Sequence, residues 1–402
     1  MNDDDFSRFH EERLVSGQRT LADAMRRLLK RSAPEIFGVV SDLDDAFFLE
    51  PALFTHFARS ERDSVLGLGQ ILFGRLPPAR RPEAIEVDSD RHGRVYLPGI
   101  GVLRTDQRAQ TLLLIASSEG LSLRAGRSSV GFALEPEDRL DGTAIELVRH
   151  EDPTLLTRFY DVHARPADAV IDGRAGPHRA QIERALALLS EHCPAYARDV
   201  ARVTRRLVVF GAVDVNSFAT INAHGAAFFN ALDADAEPYF ADELVHQCGH
   251  IIFNAVSVRR HDFLALDPEL PLEQIAPRER SGRKLYDALH GLYTEDVMCA
   301  CLRVLDERGV FTGRQAHELF GRLAFIARKF RIDLDNLSAP GVFTPLGREL
   351  YELWRQRCDR LARERSELWQ ADLRGQPYNF DAELFARNNP ARSTPRVAHV
   401  AC

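Results

Sequence analysis

The chain has 402 residues, of which 45% are hydrophobic and 28% are charged, and its formal net charge is −7. The length allows two or three domains, and the composition is typical of a globular protein. The negative charge argues against a nucleic-acid partner, because phosphate recognition needs a concentrated basic surface. No apolar run approaches the roughly 18 residues of a membrane span, and no signal peptide is evident. We therefore predict a cytoplasmic protein that does not bind a membrane.

Residues 1–80 are predicted to form an N-terminal helical segment, because apolar side chains in residues 14–29 recur at helical spacing. The proline-rich stretch Arg75–Pro82 predicts a domain boundary, since successive prolines end helices and stiffen loops. Across residues 83–150, short apolar segments alternate with glycine-containing turns. This pattern predicts a small, mostly antiparallel β-rich module that serves as a scaffold or docks substrate.

Helical patterns dominate the rest of the chain. Residues 165–390 are predicted to form a larger, mainly helical domain that binds a metal, and residues 391–402 a loose tail. Together with the β-rich module, this organisation predicts the α+β class. The large domain is expected to carry a gluzincin-like helix with an HxxxH motif.

That motif lies in the stretch Glu243–Asn254, where His246 and His250 are four residues apart in a helical pattern. The spacing puts both imidazoles on one face of the helix, which is the geometry of two ligands on one metal ion. The apolar neighbours predict that both rings are partly buried, where a shared metal would satisfy them. We therefore predict metal binding, with one core and one surface histidine as the alternative.

A third ligand is expected from the helix predicted at residues 283–307. His290 is the first choice because it lies in an apolar stretch. Glu295 is the second choice and would complete a two-histidine, one-carboxylate set, although Asp296 beside it favours a solvated side chain. His261, in a loop, is a more remote option. A purely structural His290, bonded to a nearby backbone or side chain, remains an alternative.

The residue after the first histidine decides the reaction class. A zinc peptidase has its catalytic glutamate there, whereas this chain has Gln247. Hydrolysis needs a base that takes a proton from water, and an amide has no useful pKa for that task. The site is therefore either a retired peptidase or one whose chemistry needs no carboxylate base. Dioxygen activation on Fe(II) fits the second case.

Three runs of sequence follow one another in an order that a known family shares. They are Ser217 with Gly225-Ala-Ala-Phe-Phe229, Glu243–His250 with Asn254, and Arg283 with Leu289-His290-Gly291. Over residues 180–350 the chain resembles the HExxH-motif-containing proteins of peptide natural-product gene clusters. Members of that family are assigned as iron-containing, 2-oxoglutarate-dependent peptide β-hydroxylases. The chain departs from the family's motif at Gln247.

The resemblance implies that His246, His250 and His290 hold the iron. It also implies a role for Arg283, which precedes His290 by about two helical turns and would share its face. Its guanidinium would pair with the distal carboxylate of 2-oxoglutarate. An exposed arginine at the start of a helix is the alternative.

Four further residues are candidates for contact with the co-substrate or substrate. Asn254, one turn after His250, could hold a water or a co-substrate oxygen, with a polar cap on the helix face as the alternative. His224 and Asn222 are predicted on the strand before the motif helix, where they would line the cleft. Gln247 is also predicted to contact the substrate.

The function predicted from the sequence is an Fe(II)/2-oxoglutarate-dependent oxygenase. It would hydroxylate a side-chain carbon, with the β-carbon as first choice, in a ribosomally synthesised precursor peptide. One alternative is an inactive or repurposed metallopeptidase-like protein that binds zinc and a peptide without hydrolysing it. Another is a metal-dependent hydrolase that uses Glu243 or Glu295 as its base. The oligomeric state stays open, with a homodimer as one option.

Overall fold

A computed structural model describes residues 3–58, 66–159, 169–232, 235–280 and 282–390. The tail predicted at 391–402 lies outside these residues. The described helices are Asp3–Ser32 (α1), Pro34–Val40 (α2), Asp45–Phe48 (α3), Pro51–Ala58 (α4), Leu68–Phe73 (α5), Pro153–Leu156 (α6), Ala175–His192 (α7), Pro194–Val203 (α8), Glu237–Val256 (α9), Leu285–Glu307 (α10), Gly313–Asn336 (α11), Pro345–Glu364 (α12) and Ala382–Asn388 (α13). None of them is both long and apolar enough to span a membrane.

The strands form three sheets, so the predicted α+β class is confirmed. The strands are Ala84–Asp88 (β1), Arg94–Leu97 (β2), Gly101–Thr105 (β3), Thr111–Ser117 (β4), Gly120–Ala125 (β5), Ser128–Val130 (β6), Phe132–Pro136 (β7), Glu146–Val148 (β8), Arg206–Phe210 (β9), Phe218–Ala219 (β10) and Ala226–Asn230 (β11). Two sheets, ordered β1-β4-β5-β6 and β2-β3-β7, are antiparallel and share an apolar cluster of their own. They correspond to the predicted β-rich module.

The third sheet has the order β10-β11-β9-β8 and is mixed. Its inner strand β9 pairs in parallel with both β8 and β11. Residues 146–148 were predicted at the end of the antiparallel module, but the strand β8 pairs with β9 in the mixed sheet instead. Strand β9 is buried at every position, and its apolar run Leu207–Phe210 is typical of the interior of a sheet covered on both faces.

The long helix α1 packs directly against α9, the helix that carries the histidine pair. A Cβ atom at Gly17 of α1 would lie 1.9 Å from the carbonyl oxygen of Ala255, so only glycine permits this approach. Residues of α1 and α9 belong to one continuous apolar core. The N-terminal helical segment therefore supports the helix that positions the candidate site.

A buried ionic cluster joins the N-terminal helices to the mixed sheet. Arg206 of β9 is 2% exposed, and its guanidinium lies 2.7 Å from Glu50, 3.0 Å from Glu146 and 3.2 Å from Asp152. Glu50 precedes α4, Glu146 lies in β8, and Asp152 caps α6. Burial raises the pKa of Glu146 to about 7. Arg206 thus faces three carboxylates from different parts of the chain, and Glu50 is paired with Arg75 as well, at 2.8 Å.

The substitution Arg206→Met is expected to lower the free energy of unfolding by about 3–5 kcal/mol at pH 7, because it removes the cation that is paired with the buried carboxyl groups of Asp152 and Glu146. The measurement is urea unfolding followed by circular dichroism. The substitution Arg202→Met is the matched control, since its guanidinium is 42% exposed and 3.7 Å from Glu11. The control should change the free energy by less than about 0.5 kcal/mol. A loss below 1 kcal/mol at Arg206 would contradict the cluster's structural role.

Candidate metal centre and its cavity

Helix α9 places one polar stripe on a large cavity. Pro238 in its first turn suits a helix start, where the missing N–H would be unsatisfied in any case. Tyr239, Asp242, Glu243 and His246 recur at the i, i+3, i+4, i+7 spacing and line a cavity of about 1470 Å³. The opposite side of α9 is buried in the core. The first histidine of the motif is therefore open to a space that can hold a ligand.

The other walls come from parts of the chain that are remote in sequence. They are the loop 211–215 after β9, Ser217 and Asn230, the side of α11 that carries Arg314, Glu318, Arg322, Phe325, Ile326 and Lys329, and residues 377–383. Arg322 is held by two carboxylates, at 2.9 Å from Asp242 and 2.7 Å from Glu318. This pairing fixes α11 against α9 and gives the cavity a rigid floor.

The three histidines predicted as ligands are neighbours. The ring centroids of His246 and His250 are 4.8 Å apart, and those of His250 and His290 are 4.6 Å apart. His290 comes from α10, which packs antiparallel to the motif helix across Phe253. The predicted grouping of a histidine pair on one helix with a histidine from the next is therefore present.

Burial keeps all three imidazoles neutral. It lowers the pKa of His250 to about 4. Burial and the neighbouring His250 lower the pKa of His290 well below its usual value, and the same two causes act on His246, together with Lys329. Neutral imidazole is the form that binds a metal ion. The chemistry of this donor set therefore fits a divalent metal.

The orientation of His290 is set by a backbone contact. Its Nε2 lies 3.1 Å from the carbonyl oxygen of His250 and must donate a proton to it. This is the structural role that the sequence analysis left as an alternative. The bond also leaves the Nδ1 lone pair of His290 free, and metal-bound histidines commonly donate their other N–H to a carbonyl in this way. In the described part of the chain, no three His, Cys, Asp or Glu side chains are arranged as a complete ligand set.

Gln247 is 1% exposed and is not among the described residues that line the cavity, although its amide contacts two residues that are. Its role as a substrate contact stays a prediction. Its amide Nε2 lies 3.0 Å from a carboxylate oxygen of Glu243 and 3.3 Å from Nδ1 of His246. The side chain that replaces the peptidase glutamate therefore links a histidine to a carboxylate one turn earlier.

Glu243 lines the cavity, and the pKa of its carboxyl group is higher than usual. Burial, together with the neighbouring Asp242, raises its pKa to about 7. A carboxyl group with such a pKa can exchange protons at neutral pH. The sequence analysis named Glu243 only as a base for the hydrolase alternative. Its position on the same helix face as His246 was already implied by their spacing of three residues.

Arg283 does not face the cavity. Its two Nη atoms each lie 2.7 Å from an oxygen of Asp333, and Nη2 is 3.0 Å from Glu279. These bonds occupy the guanidinium, so the predicted pairing with 2-oxoglutarate does not match its surroundings. The alternative was an exposed arginine at the helix start; Arg283 is half-buried and paired with Asp333 of α11.

Glu295 was expected to be solvated, but it is 5% exposed. Burial and the nearby Asp333 raise its pKa well above the usual value. Metals bind the deprotonated carboxylate, so this shift works against Glu295 as a ligand. His261 lies in an exposed turn outside the histidine cluster.

The segment before α9 folds differently from the prediction. A strand was predicted here, but a turn at Ile221–Ala223 interrupts it, and Gly225 has a φ of +96°. His224 is consequently buried, with its Nε2 2.8 Å from the side-chain nitrogen of Gln18 in α1. The backbone of Asn222 accepts a hydrogen bond from Thr55.

Neither His224 nor Asn222 is among the described residues that line the cavity, so the structure does not bring them to the predicted cleft. Asn254 lies one turn after His250, is 7% exposed, and is also outside the cavity lining.

Comparison with known proteins adds no assignment. Neither a protein-family model nor a curated protein matches the chain.

The cavity residues that were not predicted from the sequence lie on α11 and in residues 377–383. Their one local signal is the alternation of aromatic and cationic residues at helical spacing, as in Phe325 and Lys329.

Proposed function

We propose that this chain is an Fe(II)/2-oxoglutarate-dependent oxygenase that hydroxylates a side-chain carbon, first of all the β-carbon, of a ribosomally synthesised peptide in the cytoplasm. One observation carries the proposal: three neutral imidazoles from two adjacent helices are neighbours, and the first of them, His246, lines a large cavity. The resemblance of the sequence supplies the reaction class. The amide of Gln247 supports that class, because it removes the base that zinc-dependent hydrolysis needs.

In this proposal His246, His250 and His290 hold the iron. Bound iron and 2-oxoglutarate would supply dioxygen activation, a chemistry that needs no carboxylate base from the protein. The Gln247 amide lies 3.3 Å from Nδ1 of His246. Iron on Nε2 of His246 would require Nδ1 to carry the proton, and the amide oxygen of Gln247, which has no partner among the described residues, would accept it after a flip of the amide. The carbonyl of His250 holds His290 in the tautomer with a free Nδ1. The protein thus contributes neutral ligands and a fixed ring orientation.

The proportions of the cavity support a peptide substrate. Its volume of about 1470 Å³ exceeds the roughly 300–1,000 Å³ that is common for small-molecule sites. Exposed apolar side chains stand at its rim, including Val213 at 97% exposure, Leu232 at 60% and Tyr378 at 64%. Rim residues of this kind are suited to contact an extended chain that passes over the opening.

The proposal predicts that anaerobically purified protein binds one Fe(II) per chain and converts 2-oxoglutarate to succinate only when oxygen and a peptide are present. The measurements are calorimetric titration with Fe(II), succinate quantification, and mass spectrometry for the gain of one oxygen atom. A protein that holds zinc tightly and consumes no 2-oxoglutarate with any candidate peptide would contradict the proposal. That result would favour the zinc- and peptide-binding alternative.

A second candidate function, metal-dependent hydrolysis, rests on one specific observation. Glu243 lines the same cavity as His246, and its pKa is raised to about 7, which suits a general base. In that case the carboxylate would act from the preceding helical turn, because Gln247 cannot. Peptide cleavage without 2-oxoglutarate would distinguish this function from the first.

A further inference from the structure

The cations that line the cavity differ in what they already bind. Arg322 is paired with Asp242 and Glu318, and Arg314 is paired with Glu383. The guanidinium of Arg174 donates to the carbonyl oxygen of Ala231 at 2.5 Å. These three arginines therefore have roles in holding the walls together.

Lys329 is different, because no carboxylate of the described chain forms an ion pair with it. Among the described residues its ammonium makes one hydrogen bond, a long contact of 3.5 Å with the carbonyl oxygen of Tyr378. The ammonium lies 4.2 Å from the centroid of the Tyr378 ring and 5.3 Å from that of Phe325. Aromatic faces attract a cation but leave its hydrogen-bond donors free.

The position of Lys329 relates it to the histidine cluster. It lies on α11 with its side chain in the cavity wall, and its charge is close enough to contribute to the lowered pKa of His246. A ligand group held by this ammonium would therefore lie in the same cavity as the first histidine. The two aromatic rings flank the ammonium and leave it able to donate to such a group.

We infer that Lys329, flanked by Tyr378 and Phe325, forms a subsite of the cavity for a carboxylate group of the ligand. The ammonium donates to the carboxylate, and the two rings pack against the adjoining methylene groups. The inference deepens the proposed function and rests on it for the identity of the ligand. The carboxylate belongs either to a small dicarboxylic acid used as co-substrate or to an acidic side chain of the peptide.

The test is calorimetric titration of metal-free protein, in the presence of a chelator, with two pairs of probes. One pair is glutarate and its neutral diamide, and the other is a short capped peptide with a central glutamate and its glutamine counterpart. The charged member of at least one pair should bind more tightly than the neutral member. The substitution Lys329→Gln should weaken that binding about ten- to a hundredfold, and Lys329→Arg should restore most of it.

The matched control is Lys30→Gln, since Lys30 lies beside the Phe37 ring at 6.0 Å but is on α1, away from the cavity. It should leave the affinities unchanged. Preference for glutarate assigns the subsite to a co-substrate, and preference for the glutamate peptide assigns it to the substrate. Equal binding of charged and neutral probes, or full affinity in a folded Lys329→Gln protein, overturns the inference. If the probes bind in a Lys329-dependent way but the protein takes up no Fe(II), the carboxylate subsite is supported and the proposed oxygenase function is refuted.

Discussion

Replacing His250 with alanine is expected to weaken Fe(II) binding by at least about a hundredfold and to abolish succinate formation. His250 is the central member of the histidine cluster, because its ring adjoins those of both His246 and His290. Loss of a residue that only orients a ligand commonly costs 10- to 100-fold in metal affinity, so loss of a ligand should cost more. Anaerobic calorimetric titration with Fe(II) measures the effect.

Two further variants make this prediction specific. His261→Ala removes an exposed histidine outside the cluster and should not change the affinity for Fe(II). His290→Ala removes the proposed third ligand and should weaken binding as His250→Ala does. If His290→Ala keeps the full affinity, the role of His290 is limited to its bond with the His250 carbonyl, and the third ligand lies elsewhere. If His250→Ala also keeps it, the cluster is not a metal centre.

Local patterns were sufficient to predict the elements around the site. The i, i+4 spacing of His246 and His250 within an apolar stretch predicted α9, and its 20 residues form a helix. The next apolar helix was named as the source of a third histidine, and α10 brings His290 to within 4.6 Å of His250. Both inferences depend on periodicity within one element and on adjacent helices packing together, which the sequence expresses directly.

Partners that are distant in the sequence were not predictable in the same way. Arg283 is bound by Asp333, fifty residues further on, and no local sequence pattern predicts that pair. His224 is buried against Gln18 because α1 covers the turn before Gly225. Lys329 reaches the cavity because α11 folds over α9. In each case the tertiary packing, not the spacing within one element, decides what a polar side chain faces.

The substitution Glu243→Gln is expected to stabilise the protein above neutral pH. The pKa of Glu243 rises from 4.5 in the unfolded chain to about 7 in the folded protein, because burial disfavours the carboxylate. The folded state then binds more protons than the unfolded state between these values, so stability falls as the pH rises from 4.5 to 7. Glutamine carries no charge and avoids this loss. Since Glu243 borders the cavity, the gain at pH 8 should be at most about 3 kcal/mol.

Urea unfolding of both proteins at pH 4.5 and pH 8 measures the effect, which should be small at the lower pH. The amide oxygen of the variant can still accept the hydrogen bond from Gln247, so the surroundings of His246 are conserved. Glu383→Gln is the control, because that carboxylate also lines the cavity but is 64% exposed. Equal stability of wild type and Glu243→Gln at both pH values would show that the carboxyl group is solvated.

The same variant separates the two candidate functions. An oxygenase needs no carboxylate base, so Glu243→Gln should retain succinate formation within about threefold, which is a small change in the activation free energy. A hydrolase that uses Glu243 would lose its activity, and the activity of its wild type would rise as the pH passes through about 7. If Glu243→Gln is more stable and still oxidises its peptide, Glu243 is a buried acidic group that the oxygenase tolerates. If the variant is more stable but has lost hydrolysis, Glu243 is the base that Gln247 does not provide.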